Sequence, residues 1–178
     1  LKLSKLYNRK LFDLDITDFD QVKNIFETFK PDYILNLAAQ SRPDISWKNP
    51  CETINSNIIG TLNILSACNE LKIKPIILLA STSAQYGDAF EENISDNLID
   101  ENSTQKPINP YGVSKSAAEK LAKLYSEVYR LDVRYARIFN TSGYGKIGDV
   151  ISDFTKRIVE TKEDTIKVGN LKPLRCFL

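Results

Sequence analysis

The sequence has no histidine and no methionine, a single tryptophan and only three cysteines in 178 residues. Without histidine, histidine-based catalytic triads and the usual zinc sites are excluded, so acid–base chemistry must come from Tyr, Lys, Asp, Glu or hydroxyl side chains. Cys51, Cys68 and Cys176 lack metal-binding spacing, and we expect reduced thiols and no metal site. Because even position 1 is not methionine, we expect the chain to be a fragment of a longer protein.

The charge balance and hydropathy of the chain exclude further classes of protein. The formal net charge is +1, without the basic excess of a nucleic-acid binder. No apolar run approaches the roughly 18 residues of a membrane span, and residues 1–10 lack the apolar core of a secretory signal. These absences predict a globular cytoplasmic protein that binds neither nucleic acid nor membranes.

Apolar runs typical of strands alternate along the chain with segments of helical spacing. The strand candidates are 11–16, 33–38, 75–80, 133–139 and 165–168. The helical patterns cover 18–29, 53–71, 109–128 and 149–159. This alternation predicts an α/β fold built from βαβ units around a mostly parallel sheet. The run at 33–38 is almost continuously apolar, which predicts a strand covered on both faces.

Three groups of residues fall at the carboxyl ends of these strand candidates. They are Ala38 and Ala39, the hydroxyl cluster 81–83, and Phe139 with Asn140. In open parallel sheets the ligand binds at the carboxyl ends of the strands. The sequence therefore predicts a ligand site at this edge of the sheet.

Tyr111 and Lys115 are four residues apart near the start of a predicted helix, where Asn109 and Pro110 form an N-cap and a first-turn proline. A helix places such a pair on one face, one turn apart. The hydroxyl cluster that contains Thr82 is expected to face this pair. Such a site can move a proton on and off a carbinol oxygen.

Gly143, Gly145 and Gly148 match the G-x-G-x-x-G pattern of dinucleotide-binding turns. In that fingerprint an acidic residue follows near the end of a second strand, roughly 20 residues on. Here Glu163 and Asp164 instead precede the candidate strand. We interpret the motif as a glycine turn that shapes a substrate pocket.

An ordered set of motifs covers nearly the whole chain. The motifs lie at 14–18, 37–41, 57–61, 81–87, 109–115 and 137–140. Together they resemble the extended short-chain dehydrogenase/reductases, and most closely their nucleotide-sugar branch of GDP-mannose 4,6-dehydratases, GDP-4-keto-6-deoxymannose reductases and sugar epimerases. The resemblance implies a Rossmann-type, doubly wound sheet whose first strand, glycine loop and first helix are missing. It also implies a partial NAD(P)-binding domain at 1–140 and the start of a sugar-nucleotide-binding region at 141–178.

The resemblance further implies roles for individual side chains. The catalytic residues would be Thr82, Tyr111 and Lys115. NAD or NADP would contact Asp15, Ile16, Leu37, Ala38, Ala39, Asn57, Tyr111, Lys115 and Phe139. The nucleotide sugar would contact Ser41, Ser83, Asn140, Val168, Asn170 and Arg175.

Three of these assignments carry a chemical argument. Asp15 would accept a hydrogen bond from the adenine amino group, and its alternative role is that of a helix cap or surface acid. The ammonium group of Lys115, together with an oxidised nicotinamide, would lower the pKa of Tyr111. Arg175 would suit a sugar-nucleotide diphosphate, and its alternative is an ordinary surface position.

Two positions depart from the pattern of the dehydratases and reductases. Family 4,6-dehydratases carry an acid two positions after the catalytic Thr, where this chain has Ala84, and Cys176 stands where those families have Asp. Because alanine has no proton to transfer, dehydration is disfavoured.

The amino-acid sequence at residues 111–115 and 166–171 most resembles that of a GDP-4-keto-6-deoxymannose reductase. We therefore expect an NAD(P)-dependent oxidoreductase that acts at hexose C4 of a nucleotide sugar, with a GDP-linked sugar favoured. The enzymatic alternatives are a 4-epimerase and a 4,6-dehydratase, and the non-enzymatic one is a truncated or inactive binding protein. A homodimer through the helices at 53–71 and 111–129 is also implied.

Overall fold

The computed structural model describes residues 10–87, 99–143, 145–146, 148–161 and 165–169. The chain divides into two compact units, Leu1–Arg137 and Ile138–Leu178. In chain order the elements are α1 (Phe19–Phe29), β1 (Tyr33–Asn36), α2 (Pro43–Lys48), α3 (Pro50–Ile54), a π-helical turn (Asn55–Ile59), α4 (Gly60–Glu70), β2 (Ile76–Thr82), a 3₁₀ turn (Ser83–Gln85), α5 (Pro110–Tyr129), β3 (Asp132–Ile138) and α6 (Val150–Glu160).

The three strands form one sheet with β2 in the middle. β1 pairs with β2 in parallel, with Tyr33 opposite Ile76 and Asn36 opposite Leu79. The predicted α/β fold around a parallel sheet is confirmed. The carboxyl ends of β1 and β2 consequently lie at the same edge of the sheet, where the sequence predicts the ligand site.

Helix α1 begins and ends where the sequence predicts. The side chain of Asp18 accepts a hydrogen bond from the backbone N–H of Gln21, which otherwise has no partner in the first helical turn. Val22 and Phe26 occupy one face of the helix and are buried. The helix ends at Lys30, whose φ of 43° breaks the helical backbone.

The main core lies on one face of the sheet only. Its buried members come from α1, α4, β2 and α5 and from Leu131, and they are Val22, Phe26, Ile64, Leu65, Ala67, Cys68, Ile77, Leu79, Ala122 and Leu131. On the opposite face, Tyr33 and Leu35 are 75% and 60% exposed, and the neighbouring Leu78 is 39% exposed. The prediction that strand 33–38 is covered on both faces is therefore wrong for the part of the chain that the structure describes.

Two predicted strands, 11–16 and 165–168, are not strands. An extended segment becomes a strand only when its backbone groups pair with a neighbouring strand. Leu11 and Phe12 are 61% and 53% exposed, and the carbonyl oxygen of Asp15 instead accepts a hydrogen bond from the N–H of Asp18 in a turn.

Helix α5 spans 20 residues and carries the predicted Tyr111 and Lys115. Asn109 caps it by accepting a hydrogen bond from the N–H of Gly112 at 2.8 Å, and Pro110 follows as the first helical residue, as predicted. Despite the length of α5, none of the helices in the described ranges is long and apolar enough to cross a membrane.

Candidate functional site

Thr82 and Tyr111 meet at the carboxyl end of β2. Thr82 is the last residue of this strand, and its Oγ1 accepts a hydrogen bond from the N–H of Ala84 at 3.2 Å, which starts the 3₁₀ turn. The side chain of Tyr111, on the first turn of α5, lies near enough to the Thr82 side chain for this neighbour to lower the pKa of Tyr111. The two hydroxyl groups that the sequence predicts to act on one substrate oxygen are therefore adjacent.

Two glycines allow this close approach of the turn to the helix. A Cβ atom on Gly112 would lie 2.6 Å from the carbonyl oxygen of Ala84, which no side chain tolerates. Gly87 has a φ of 46°, and a Cβ atom there would overlap the carbonyl oxygen of Lys106. The backbone that carries Thr82 can therefore pack directly against the first turn of α5.

Burial dominates the electrostatics of Tyr111 and Lys115. It raises the pKa of Tyr111 above its ordinary value, and the neighbouring Thr82 side chain only partly opposes this shift. Burial lowers the pKa of Lys115 to about 8, and its Nζ donates to the carbonyl oxygen of Ala80 at 2.8 Å. The predicted lowering of this pKa by Lys115 together with an oxidised nicotinamide stays a prediction. In the described residues the Lys115 amine bonds to Ala80, and desolvation has the largest effect on the Tyr111 pKa.

Asn57 connects the loop after β1 to α5. It lies in the π-helical turn, which interrupts the helix predicted at 53–71, and it is 1% exposed. Its Oδ1 accepts from the N–H of Gln40 at 2.9 Å, and its Nδ2 donates to the Gln40 carbonyl oxygen at 3.0 Å and to Ser114 Oγ at 2.8 Å. Ser114 Oγ in turn donates to the carbonyl oxygen of Tyr111 at 2.8 Å. One amide thus fixes both the loop and the first turn of the helix.

The loop after β1 has small side chains on an exposed backbone. Asn36 Oδ1 accepts from the N–H of Ala38 at 3.1 Å, which turns the chain at the strand end. Leu37, Ala38 and Ser41 are exposed, and Ala39 is half-buried. A ligand can therefore approach the backbone of this loop closely.

Asp15 belongs to a local turn at the surface. Its Oδ1 accepts from both the N–H and the hydroxyl of Thr17, at 2.9 and 2.8 Å. Asn63 on α4 donates to the carbonyl oxygens of Ile16 and Thr17, at 3.0 and 2.9 Å, and so fixes the backbone beside Asp15. The alternative role of Asp15 as a turn-capping acid is visible, and the carboxylate remains exposed to solvent.

The remaining predicted site residues belong mainly to the second unit. Phe139 and Asn140 follow β3 directly, and Val168 is 40% exposed. Asn170 and Arg175 lie outside the described residues, as does Cys176. Ser83 in the first unit directly follows Thr82 and is half-buried.

The sequence analysis missed several buried polar residues around this site. Glu119 on α5 forms a buried ion pair with Arg137 on β3 and also accepts hydrogen bonds from Ser81 and Gln85. One available signal was spacing, because Glu119 follows Lys115 by four residues and so lies on the same helix face. Its partners lie far away in sequence, and no helical period points to them.

The second strand of the parallel sheet ends in Thr82, and the neighbouring helix carries Tyr111 and Lys115 one turn apart. This arrangement defines a short-chain dehydrogenase/reductase of the extended type. The family model for GDP-mannose 4,6 dehydratase matches residues 2–178. The chain belongs to this family of NAD(P)-dependent nucleotide-sugar epimerases and dehydratases.

Three known proteins illustrate the relationship. The UDP-glucuronate 4-epimerase of Thermodesulfobacterium geofontis is 35% identical over 162 residues, which cover 90% of this chain and 48% of the relative. RMD from Pseudomonas aeruginosa, solved with NADPH, is 30% identical with a TM-score of 0.75 over 83% of this chain and 49% of that protein. The UDP-glucose 4-epimerase of Thermus thermophilus, solved with NAD, is 26% identical with a TM-score of 0.77 over 86% of this chain and 49% of that protein. The chain spans about half the length of each of them.

Proposed function

We propose that the whole protein is an NAD(P)-dependent enzyme that oxidises or reduces C4 of a hexose carried by a nucleoside diphosphate. The observation that carries this proposal is the close packing of the turn after Thr82 against the first turn of α5, which carries Tyr111, with Lys115 one turn further along this helix. Two adjacent hydroxyl groups and an amine are the groups needed to exchange a proton with a carbinol oxygen.

The described residues suit a dinucleotide on the edge of the sheet. Ala38 and Ala39 present little side chain beside the path proposed for its ribose and pyrophosphate, with Leu37 next to them and Asn57 holding the loop from behind. The remaining proposed contacts are Asp15 and Ile16 at the adenine, and Tyr111, Lys115 and Phe139 towards the nicotinamide. When bound, the nicotinamide supplies the hydride acceptor or donor.

In the proposed mechanism Thr82 holds the C4 oxygen and Tyr111 exchanges its proton. When the carbinol is oxidised, the hydroxyl proton goes to the oxygen of Tyr111, and in the reverse direction Tyr111 returns it. Burial raises the pKa of Tyr111, so its ionised form needs a nearby positive charge. Lys115, whose pKa burial lowers to about 8, still has a large protonated fraction at neutral pH to supply that charge.

Ala84 narrows the choice of reaction. Its backbone packs against Gly112, and its methyl side chain offers no proton at the position where 4,6-dehydratases carry an acid. Elimination of water across C5 and C6 needs an acid–base group beside those atoms. We therefore favour reactions that are complete after exchange of hydrogen at C4.

The first candidate is a 4-epimerase, which oxidises C4 and then reduces it from the other face. The likeness to the UDP-glucuronate and UDP-glucose 4-epimerases favours it, together with Ala84. The second candidate is the GDP-4-keto-6-deoxymannose reductase predicted from the sequence. The NADPH bound to the similar RMD is a reducing cofactor, which suits this reaction. The proposed contacts of the nucleotide sugar are Ser41, Ser83, Asn140, Val168, Asn170 and Arg175. The assay below distinguishes a GDP-linked from a UDP-linked sugar.

The test is turnover by the full-length protein with NAD⁺ or NADPH and a panel of UDP- and GDP-linked hexoses. An epimerase interconverts C4 epimers without net change in cofactor absorbance, and a reductase oxidises one NADPH per 4-keto sugar. We expect Tyr111→Phe to lower kcat by roughly 10²- to 10⁴-fold while cofactor affinity changes little. Tyr129→Phe, on the same helix but partly exposed, is the matched control. A dehydrated product, or no cofactor binding by the full-length protein, contradicts the proposal.

A further inference from the structure

A buried ion pair lies beside the proposed catalytic residues, and its two members have no catalytic role in the proposed mechanism. Arg137 on β3 and Glu119 on α5 have side chains that are only 11% and 6% exposed. Arg137 Nε donates to Oε1 of Glu119 at 3.1 Å, and Nη2 donates to the same oxygen. Burying two charges is unfavourable unless further hydrogen bonds satisfy both groups.

Two further hydrogen bonds of Glu119 go to the two sides of Thr82, and a third comes from Gln105. Its Oε2 accepts from Ser81 Oγ at 2.9 Å and from Gln85 Nε2 at 3.0 Å. Ser81 directly precedes Thr82, and Gln85 ends the 3₁₀ turn that follows it. A single carboxylate oxygen therefore holds both ends of the segment that presents the Thr82 hydroxyl. It does so from α5, the same helix that carries Tyr111.

The further hydrogen bonds of Arg137 go to the loop that leads back to α5. Its Nη1 donates to the carbonyl oxygen of Glu101 at 2.7 Å and to Tyr86 Oη at 2.9 Å. Tyr86 Oη donates to the carbonyl oxygen of Asp100 at 2.8 Å. Arg137 thereby anchors this loop and balances the charge of Glu119.

The Glu119 carboxylate is ionised in this setting. Burial raises its pKa, but the hydrogen bonds from Arg137, Gln85 and Ser81 outweigh burial and bring the pKa below its ordinary value. It therefore accepts hydrogen bonds throughout the neutral pH range, and both of its oxygens are engaged.

We propose that Glu119 and Arg137 are positioning residues for the reaction: Glu119 fixes the Thr82 hydroxyl against Tyr111, and Arg137 keeps Glu119 in place. This inference rests on the proposed function, in which Thr82 and Tyr111 touch the substrate. A small displacement of a reacting group reduces the stabilisation of the transition state more than it reduces binding of the substrate. Loss of the carboxylate accordingly lowers kcat with little effect on the KM for the nucleotide sugar.

The first test is a double-mutant cycle with the full-length enzyme. Glu119→Gln lowers kcat by roughly 10- to 100-fold, and the KM changes by less than about twofold. In a Thr82→Ala background the same substitution lowers kcat by less than about twofold, because the hydroxyl that it displaces is absent. Equal losses in the two backgrounds overturn the inference, since a general structural defect does not depend on the Thr82 hydroxyl.

The second test reads the Thr82–Tyr111 contact without turnover. The pKa of the Tyr111 phenol is measured by ultraviolet titration of the full-length protein, as a difference from Tyr111→Phe. In Glu119→Gln the pKa rises, because the Thr82 side chain, which opposes the burial shift, moves away from Tyr111. Removal of the negative charge alone would lower it, so an unchanged or lowered pKa overturns the inference. If this rise occurs but no nucleotide sugar turns over, the positioning contact is supported and the proposed function fails.

A milder variant covers the case in which Glu119→Gln does not fold. Ser81→Ala removes one donor to Glu119 and leaves the ion pair with Arg137 intact. Ser81→Ala lowers kcat less than Glu119→Gln does, and it has no effect on kcat in the Thr82→Ala background. If Ser81→Ala lowers kcat by the same factor in both backgrounds, the inference is overturned. Glu127→Gln on α5 and Arg134→Gln on β3 alter exposed ion pairs of the same elements, and they leave kcat unchanged.

Discussion

Lys115 is a buried amine whose charge depends on pH within the working range of most enzymes. Burial lowers its pKa from 10.5 to about 8 in the folded protein. Between these two values the unfolded chain binds more protons than the folded one, so the free energy of unfolding rises with pH across that window. The cost of burying the ammonium is fully present below about pH 8 and disappears as the pH approaches 10.5.

We predict that Lys115→Met removes this pH dependence. In urea unfolding of the cofactor-free protein, the wild type gains roughly 1–3 kcal/mol relative to Lys115→Met between pH 7 and pH 10. The control is Lys123→Met, which replaces an exposed lysine on the same helix and follows the wild-type curve. A difference between the wild type and Lys115→Met that stays constant with pH would show that Lys115 keeps an ordinary pKa when folded.

Single residues were predictable where the signal lay within one element. The pair Tyr111 and Lys115 follows from helical spacing, and Asn109 with Pro110 follows from helix-capping chemistry. Asn63, Glu119 and Arg137 escaped because their hydrogen bonds join residues that lie 14 to 51 positions apart. A sequence shows the period of an element, but it does not show which distant element packs against it.

The first turn of α5 and the 3₁₀ turn after β2 act as one unit because Gly112 has no side chain. Within a helix, alanine is usually more stable than glycine by roughly 0.5–1 kcal/mol. At position 112 the added methyl group would lie 2.6 Å from the carbonyl oxygen of Ala84. We therefore expect the usual sign to reverse at this position.

We predict that Gly112→Ala lowers the free energy of unfolding by roughly 1–3 kcal/mol, the range typical of overpacking. The substitution also lowers kcat, because it pushes Thr82 away from Tyr111. Gly143→Ala is the matched control, since no atom lies within 4 Å of a Cβ atom there, and we expect it to be nearly neutral. Equilibrium unfolding in urea measures both variants, and a more stable Gly112→Ala would contradict the packing described here.

Elements were predictable where the cap and the apolar period agreed, as in α1 and α5. The strands predicted at 11–16 and 165–168 failed because a strand depends on a pairing partner, which local composition does not reveal. The π-helical turn at Asn55–Ile59 was missed for another reason. Apolar residues at Ile54 and Ile58 keep a helical period, so the change of winding leaves no mark on the pattern.

Helix α5 has an exposed apolar stripe at the scale of the described chain. Leu124 and Val128 are one helical turn apart and are 54% and 66% exposed. The family resemblance implies a homodimer through this helix and the helix at 53–71. Contact with a second copy would remove this apolar surface from water.

We predict that the full-length protein is a dimer and that the double variant Leu124→Glu/Val128→Glu is a folded monomer. Two carboxylates in place of the apolar pair disfavour burial at a shared interface. Light scattering at micromolar concentration gives the mass, and circular dichroism confirms folding. Lys123→Glu alters the charge of α5 without removing apolar surface, and it remains dimeric. A double variant with the mass of the wild type places the interface elsewhere.

The π-helical turn also defines how this chain tolerates changes of length. The N–H of Gly60 donates to the carbonyl oxygen of Asn55, five residues earlier, so the turn holds one residue more than a regular helical turn. One residue corresponds to a rotation of about 100° around the helix axis. Deletion of Ile58 or Ile59 would restore a regular helix and rotate the Asn57 amide relative to α4. The position of this amide therefore depends on the number of residues in the turn. An insertion or deletion between Asn57 and α4 can displace the amide even though every side chain around it is retained.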